Sequence, residues 1–183
     1  MTLICFGDSN TFGYDPRSYL GERYAPETRW VDILAQKTGW NVRNNGMNGR
    51  KIPLREESFS KSADLLIVML GTNDLLCGSS TEETVTRMER FLNRLTIDRR
   101  RILLIAPPPM RRGEWVEDEK LIDASAALAK GYRSLAERMD IGFADAGNWG
   151  VALAHDGVHF TEEGHKAFAA GLLRHLRLAQ DPT

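Results

Sequence analysis

Cysteine is nearly absent from this chain. Cys5 and Cys77 are its only two, too few for a disulfide framework. Cys5 falls inside an apolar run and reads as a small buried hydrophobe, and nothing beside Cys77 marks it as an activated nucleophile. Charge of one sign is missing as well. Twenty-four basic residues stand against 25 acidic ones, for a formal charge of −1, which leaves no broad positive field for nucleic acid or an anionic membrane. Arg99-Arg100-Arg101 and Arg111-Arg112 are short basic runs without aromatic interleaving, and each reads as a solvated loop. No apolar stretch approaches the ~20 residues of a spanning helix. The amino terminus has no basic segment before its apolar run, which stops at Gly7, so a secretory leader is not expected and the protein is expected to be cytoplasmic. Internal repeats, low-complexity tracts and linker-like stretches are also lacking, so one domain over residues 1–183 is expected.

What is present alternates. Short apolar runs suit strands near Thr2–Phe6, Trp40–Asn44, Leu65–Leu70, Ile102–Ala106 and Ile141–Ala144. Longer amphipathic segments suit helices near Glu27–Thr38, Glu82–Leu95, Asp118–Met139 and Glu162–Leu176. Ser80-x-x-Glu83 is a capping-box pattern before the second of these, and Thr161 followed by two glutamates caps the last. Strand and helix in turn imply βαβ units and a mostly parallel sheet. The expected fold is therefore α/β: a flavodoxin-like, three-layer sandwich around a five-stranded, mostly parallel sheet. Pro107-Pro108-Pro109 ends the fourth strand, and the segment to Trp115 is expected to project at the edge that carries the site. Asp181-Pro182-Thr183 is expected to fray.

Three polar tips follow these runs. Gly7-Asp8-Ser9 closes the first strand and Gly71-Thr72-Asn73-Asp74 the third, while Asp156-Gly157-Val158-His159 leads into the last helix. Open α/β sheets place their ligands at the carboxyl ends of strands. A serine hydroxyl there becomes a useful nucleophile only beside a base, and the base needs an orienting acceptor. Asp156 and His159, three residues apart, are spaced to meet on one side of a helical turn. The other histidines fit worse: His155 should point away, and His165 and His175 belong to the helix body or its exposed end. Donors for a developing oxyanion are available from the Ser9 N–H, from Gly46 or Gly49 after the second strand, and from the Asn73 amide. Asp8 and Asp74 read as loop-holding residues. Trp30 reads as core, whereas Asn10, Phe12, Tyr14 and Trp115 are candidate pocket walls.

Taken together and in order, these blocks resemble the SGNH, or GDSL-type, hydrolase family. Gly7-Asp8-Ser9 looks like its first block, Asn44-x-Gly46-x-Asn48-Gly49 its second, Gly71-Thr72-Asn73-Asp74 its third and Asp156-x-x-His159 its last. The resemblance implies Ser9 as nucleophile, His159 as base and Asp156 as its orienter, with Ser9, Gly49 and Asn73 forming the oxyanion hole. Asn10 stands where the family name implies leucine, and Asn48 where serine is common. The stretches from Gly7 to Gly13, Arg23 to Trp30 and Leu104 to Pro109 look most like the small arylesterase and acyltransferase branch. That branch acts on short acyl esters without cofactor or metal, and some members form compact homo-oligomers. The leading expectation is thus a serine esterase for a small acyl ester, with acyl transfer to another alcohol open to the same site.

Two other classes compete. Asp8, Asn73, Asp74, Asp156 and His159 are oxygen and nitrogen ligands that a metal-dependent phosphoesterase could use. Against it, His159 is the single well-placed histidine and no Asp-x-His segment precedes Gly7. A non-catalytic binding domain would suit a chain lacking a triad member, and none is lacking.

Overall fold

The computed structural model describes residues 1–18 and 20–180, and the expected fraying at Asp181–Thr183 lies outside them. Five strands form one sheet: β1 (Thr2–Gly7), β2 (Asn41–Gly46), β3 (Leu65–Met69), β4 (Ile102–Ala106) and β5 (Gly142–Asp145). Their order is β2-β1-β3-β4-β5 and every pairing is parallel. β1, β3 and β4 are apolar throughout because both of their faces are covered. Leu3, Cys5, Ile67, Met69, Leu103 and Ile105 face one core, and Ile4, Phe6, Leu66, Val68, Leu104 and Ala106 face the other. β2 is one of the two edge strands, with Asn41, Arg43 and Asn45 exposed, and polar side chains there blunt edge-to-edge pairing.

On the first face lie α2 (Trp30–Thr38) and α6 (Glu162–Gln180), joined through Trp30, Leu34, Phe168 and Leu172. On the second lie α4 (Thr81–Asn93) and α5 (Glu119–Met139), joined through Met88, Phe91, Leu128 and Leu135. The expected three-layer sandwich is therefore the observed one, and among the described residues no helix is long and apolar enough to cross a membrane. The capping box of α4 forms in full, Ser80 Oγ accepting from Glu83 N and Glu83 Oε2 from Ser80 N. Thr161 Oγ1 accepts from Gly164 N at the start of α6. Trp30 is core, as expected, with its indole Nε1 donating to the Asn10 carbonyl at 3.0 Å.

Several expectations need correction. α2 begins at Trp30 and not Glu27, because Thr28 N and Arg29 N both turn back to the Ala25 carbonyl and Arg29 is extended. Trp30, Val31 and Leu34 form its buried face. The polar tips after β1 and β3 are themselves one-turn helices, α1 (Ser9–Phe12) and α3 (Thr72–Leu76). His165 is not merely part of a helix body; it is fully buried, its Nδ1 3.4 Å from the Trp30 N–H. The segment from Met110 to Trp115 lies at the expected edge but is tied down. Arg111 N donates to the Gly157 carbonyl, Glu114 N to His155 and Trp115 N to Asp156. Gly113 permits this approach, since a Cβ there would collide with the backbone of Asp156 and Gly157.

Candidate active site

The site grows from the end of β1. Asp8 caps α1, its Oδ1 accepting from Asn10 N at 3.0 Å. Burial pushes the Asp8 carboxyl up to about 6, against the pull of the Asn10 N–H and the charges of His159 and Arg50. Gly13 closes the turn with φ +90° while both it and Tyr14 donate to the Ser9 carbonyl, and glycine adopts that backbone without Cβ strain. Ser9 thus opens a single tight turn whose side chain faces the loop before α6.

That loop is not helical, so Asp156 and His159 meet for a different reason from the one the spacing suggested. Gly157 has φ +82° and its N–H returns to the Ala154 carbonyl; Ala154 N donates to His159 O at 2.7 Å. Within this tight loop Asp156 Oδ1 accepts from the backbone of Val158 (2.8 Å) and His159 (2.9 Å). Its Oδ2 lies 2.7 Å from His159 Nδ1, and His159 Nε2 lies 2.9 Å from Ser9 Oγ. Burial raises the Asp156 carboxyl, but the hydrogen bonds from the His159 ring and the two backbone N–H groups outweigh it and hold the group at about 2. An acceptor this firmly ionised keeps the proton on Nδ1 and leaves Nε2 free to accept.

A cavity of about 240 Å³ opens over Ser9, lined by Tyr14, Asn48, Gly49, Asn73, Trp115 and His159. Gly49 has φ +69° and open space where a side chain would stand. Asn73 Nδ2 donates to the Arg50 carbonyl at 3.1 Å, and its second hydrogen remains for a ligand. Gly46, the other candidate donor, lies against α1: a Cβ there would run into the backbone of Thr11 and Phe12. Tyr14 and Trp115 flank the His159 ring, with centroids 4.6 and 5.0 Å away. Trp115 is 53% exposed and His159 only 3%, so the indole shields the base from solvent.

Asn10 and Phe12 do not line this cavity. Asn10 is buried, its Nδ2 donating to Val158 O at 3.1 Å and its Oδ1 accepting from Phe160 N at 2.9 Å; Phe12 stacks under the Arg23 guanidinium at 4.6 Å. Tyr14 and Asn48 take the wall positions instead. Arg50 carried no signal in the sequence beyond following Gly49. Its guanidinium lies 4.3 Å from the centre of the Phe6 ring and donates to the carbonyls of Gly7 and Asn45. Since its own carbonyl holds Asn73, this one residue ties the first three blocks together. Asp74 holds structure in the same way, accepting from Ile52 N at 3.0 Å and Arg87 at 2.8 Å. With Asp8 and Asp74 turned to these tasks, no group of three or more His, Cys, Asp or Glu side chains converges among the described residues as a cation site requires.

Known proteins share this fold. A carbohydrate acetylesterase family member from Sinorhizobium meliloti superposes with a TM-score of 0.79 at 28% identity, over 97% of each chain. The native aryl esterase of M. smegmatis gives 0.81 at 26% identity, over 96% of this chain and 98% of the other. In sequence, GDSL esterase/lipase WDL1 of Oryza sativa subsp. japonica is 25% identical over 185 residues, spanning 84% of this chain and 69% of the relative. Fold and neighbours together define a carboxylic ester hydrolase. Residues 5–167 match the GDSL-like Lipase/Acylhydrolase family, and the chain belongs to it.

Proposed function

We propose that the chain forms one catalytic domain that hydrolyses short-chain acyl esters through an acyl-enzyme on Ser9. One observation carries the reading: Ser9 Oγ, His159 Nε2 and Asp156 Oδ2 form a continuous hydrogen-bonded row of 2.9 and 2.7 Å at the floor of a cavity. His159 Nε2 removes the Ser9 proton as Oγ attacks the ester carbonyl, and Asp156 stabilises the imidazolium that forms. The Ser9 and Gly49 N–H groups and Asn73 Nδ2 receive the oxygen that becomes negative. The imidazolium returns its proton to the departing alcohol. Water then repeats the sequence on the acyl-enzyme and releases the acid, restoring Ser9.

A cavity of about 240 Å³ suits a short acyl chain, in keeping with the acetylesterase and aryl esterase whose fold it shares. An alcohol that reaches the acyl-enzyme in place of water makes the same site an acyltransferase, and the exposed Trp115 beside His159 is the surface on which it would stack. The test is hydrolysis of p-nitrophenyl esters from acetate to decanoate. Activity is expected to peak at the short end and to fall by about 10⁴-fold or more in Ser9→Ala. Activity that survives in Ser9→Ala and disappears in chelator would select metal-dependent phosphoester chemistry instead.

A further inference from the structure

Asn10 has no place in the mechanism above, yet its side chain makes two buried hydrogen bonds beside it. Segment 8–14 carries the nucleophile and segment 153–160 the base. Among the described residues three hydrogen bonds join these segments: Ser9–His159 itself and the two made by the Asn10 amide. Those two do not go to arbitrary points. Nδ2 donates to the carbonyl of Val158 and Oδ1 accepts from the N–H of Phe160, the residues immediately before and after His159. The amide therefore grips the base's backbone on both sides while its own backbone adjoins Ser9.

The Tyr14 ring also meets His159 across this boundary, at 4.6 Å between centroids, but the remaining hydrogen bonds fix each half separately. Asp156 and Ala154 hold His159 within its own loop, and Trp30 Nε1 holds the Asn10 carbonyl from the α2 side. Neither sets the distance between nucleophile and base. Asn10 is only 4% exposed, so its hydrogen bonds are sheltered from competing water. Leucine, the residue the family name spells at this position, has neither donor nor acceptor.

Building on the serine-esterase reading, we propose that Asn10 is a positioning residue: its amide clamps the backbone on both sides of His159 and thereby sets the Ser9–His159 separation. Misplacing reacting groups by about 1 Å costs about 10²-fold in rate, and that loss belongs in kcat because substrate-binding walls are untouched.

The experiment compares wild type with Asn10→Leu and Asn10→Asp. Asn10→Asp keeps the acceptor for Phe160 N but turns an oxygen toward the Val158 carbonyl in place of the donor, so it serves if Asn10→Leu does not fold. Three readings are taken on folded protein: kcat and KM for p-nitrophenyl acetate, the rate of Ser9 labelling by a sulfonyl fluoride, and the 15N shift of His159 Nε2. Asn10→Leu is expected to lower kcat and labelling by about 10²-fold with KM within about threefold. Its Nε2 shift should move toward that of an imidazole nitrogen accepting no hydrogen bond, with Asn10→Asp intermediate. Variants that melt earlier but keep wild-type kcat, labelling and Nε2 shift would overturn the clamp. A wild type inert toward both ester and label would instead count against the esterase reading, and the Nε2 shift alone then decides the clamp.

Discussion

Asn73 separates binding from chemistry more sharply than any other wall of the cavity. One of its amide hydrogens is committed to the Arg50 carbonyl, so the side chain cannot swing and its other hydrogen is aimed before substrate arrives. Such a preorganised donor acts on the charge that develops in the transition state. Asn73→Ala is therefore expected to lower kcat by about 10²–10³-fold while KM changes little; steady-state kinetics on the acetate ester check it, and a change in KM alone would remove Asn73 from the oxyanion hole. The four blocks made the gathering of Ser9, Gly49, Asn73, Asp156 and His159 legible, because serine, glycine, amide and carboxylate–imidazole chemistry each need a particular residue type. The walls were harder to read. Phe12 and Tyr14 are two residues apart in the same polar turn, and only the left-handed step at Gly13 sends Tyr14 to His159 and Phe12 to Arg23. Asn10 was equally hidden, because its partners at Val158 and Phe160 lie about 150 positions away.

At the scale of elements, what spoke clearly in the sequence was what repeats. β1, β3 and β4 were visible as apolar runs, α4 and α6 as capped amphipathic stripes and α5 as a long amphipathic segment. α1 and α3 were not visible as helices, because four or five residues make little more than one turn and show no period. The lacing of Met110–Trp115 onto residues 155–157 was invisible for another reason: backbone-to-backbone bonds leave no mark on residue type. The α4 cap, by contrast, can be tested directly. Ser80→Ala removes the acceptor for Glu83 N at a site remote from Ser9. A loss of about 0.5–2 kcal/mol in unfolding free energy is expected, with kcat and KM unchanged. Urea denaturation and the acetate assay measure the two parts.

The whole molecule stores opposing protonation effects on its two cores. His165 is buried without charge, and burial, followed by the nearby charges of Arg29 and His159, pushes it from its ordinary 6.5 down to about 3. Between those values the unfolded chain binds a proton that the folded one refuses, so stability falls as pH falls. Asp8 works in the opposite sense. Raised from 3.8 to about 6, it is protonated in the folded state while ionised in the unfolded one, so stability rises as pH falls through that window. From about pH 6 to 4 the two nearly cancel. Below 3.8 Asp8 is protonated in both states and its contribution levels off, while Asp156, held at about 2, joins His165 and stability drops steeply. Urea midpoints of the wild type should therefore be flat between pH 6 and 4 as far as these groups decide it. Asp8→Asn, which keeps the cap's acceptor, should expose a slope of about 1.4 kcal/mol per pH unit from His165. Parallel curves for variant and wild type would show that the Asp8 carboxyl is not buried in the acid form.

Ser9 and His159 stand 150 positions apart in the chain yet share one hydrogen bond. In the order of synthesis Ser9 precedes His159 by those 150 positions. β1 is also a central strand, flanked by β2 and β3, so it can settle against neighbours long before α6 exists. On the serine-esterase reading, a chain halted before residue 159 carries a serine without its activating partner, so reactivity at Ser9 is withheld until the loop bearing His159 has joined β1.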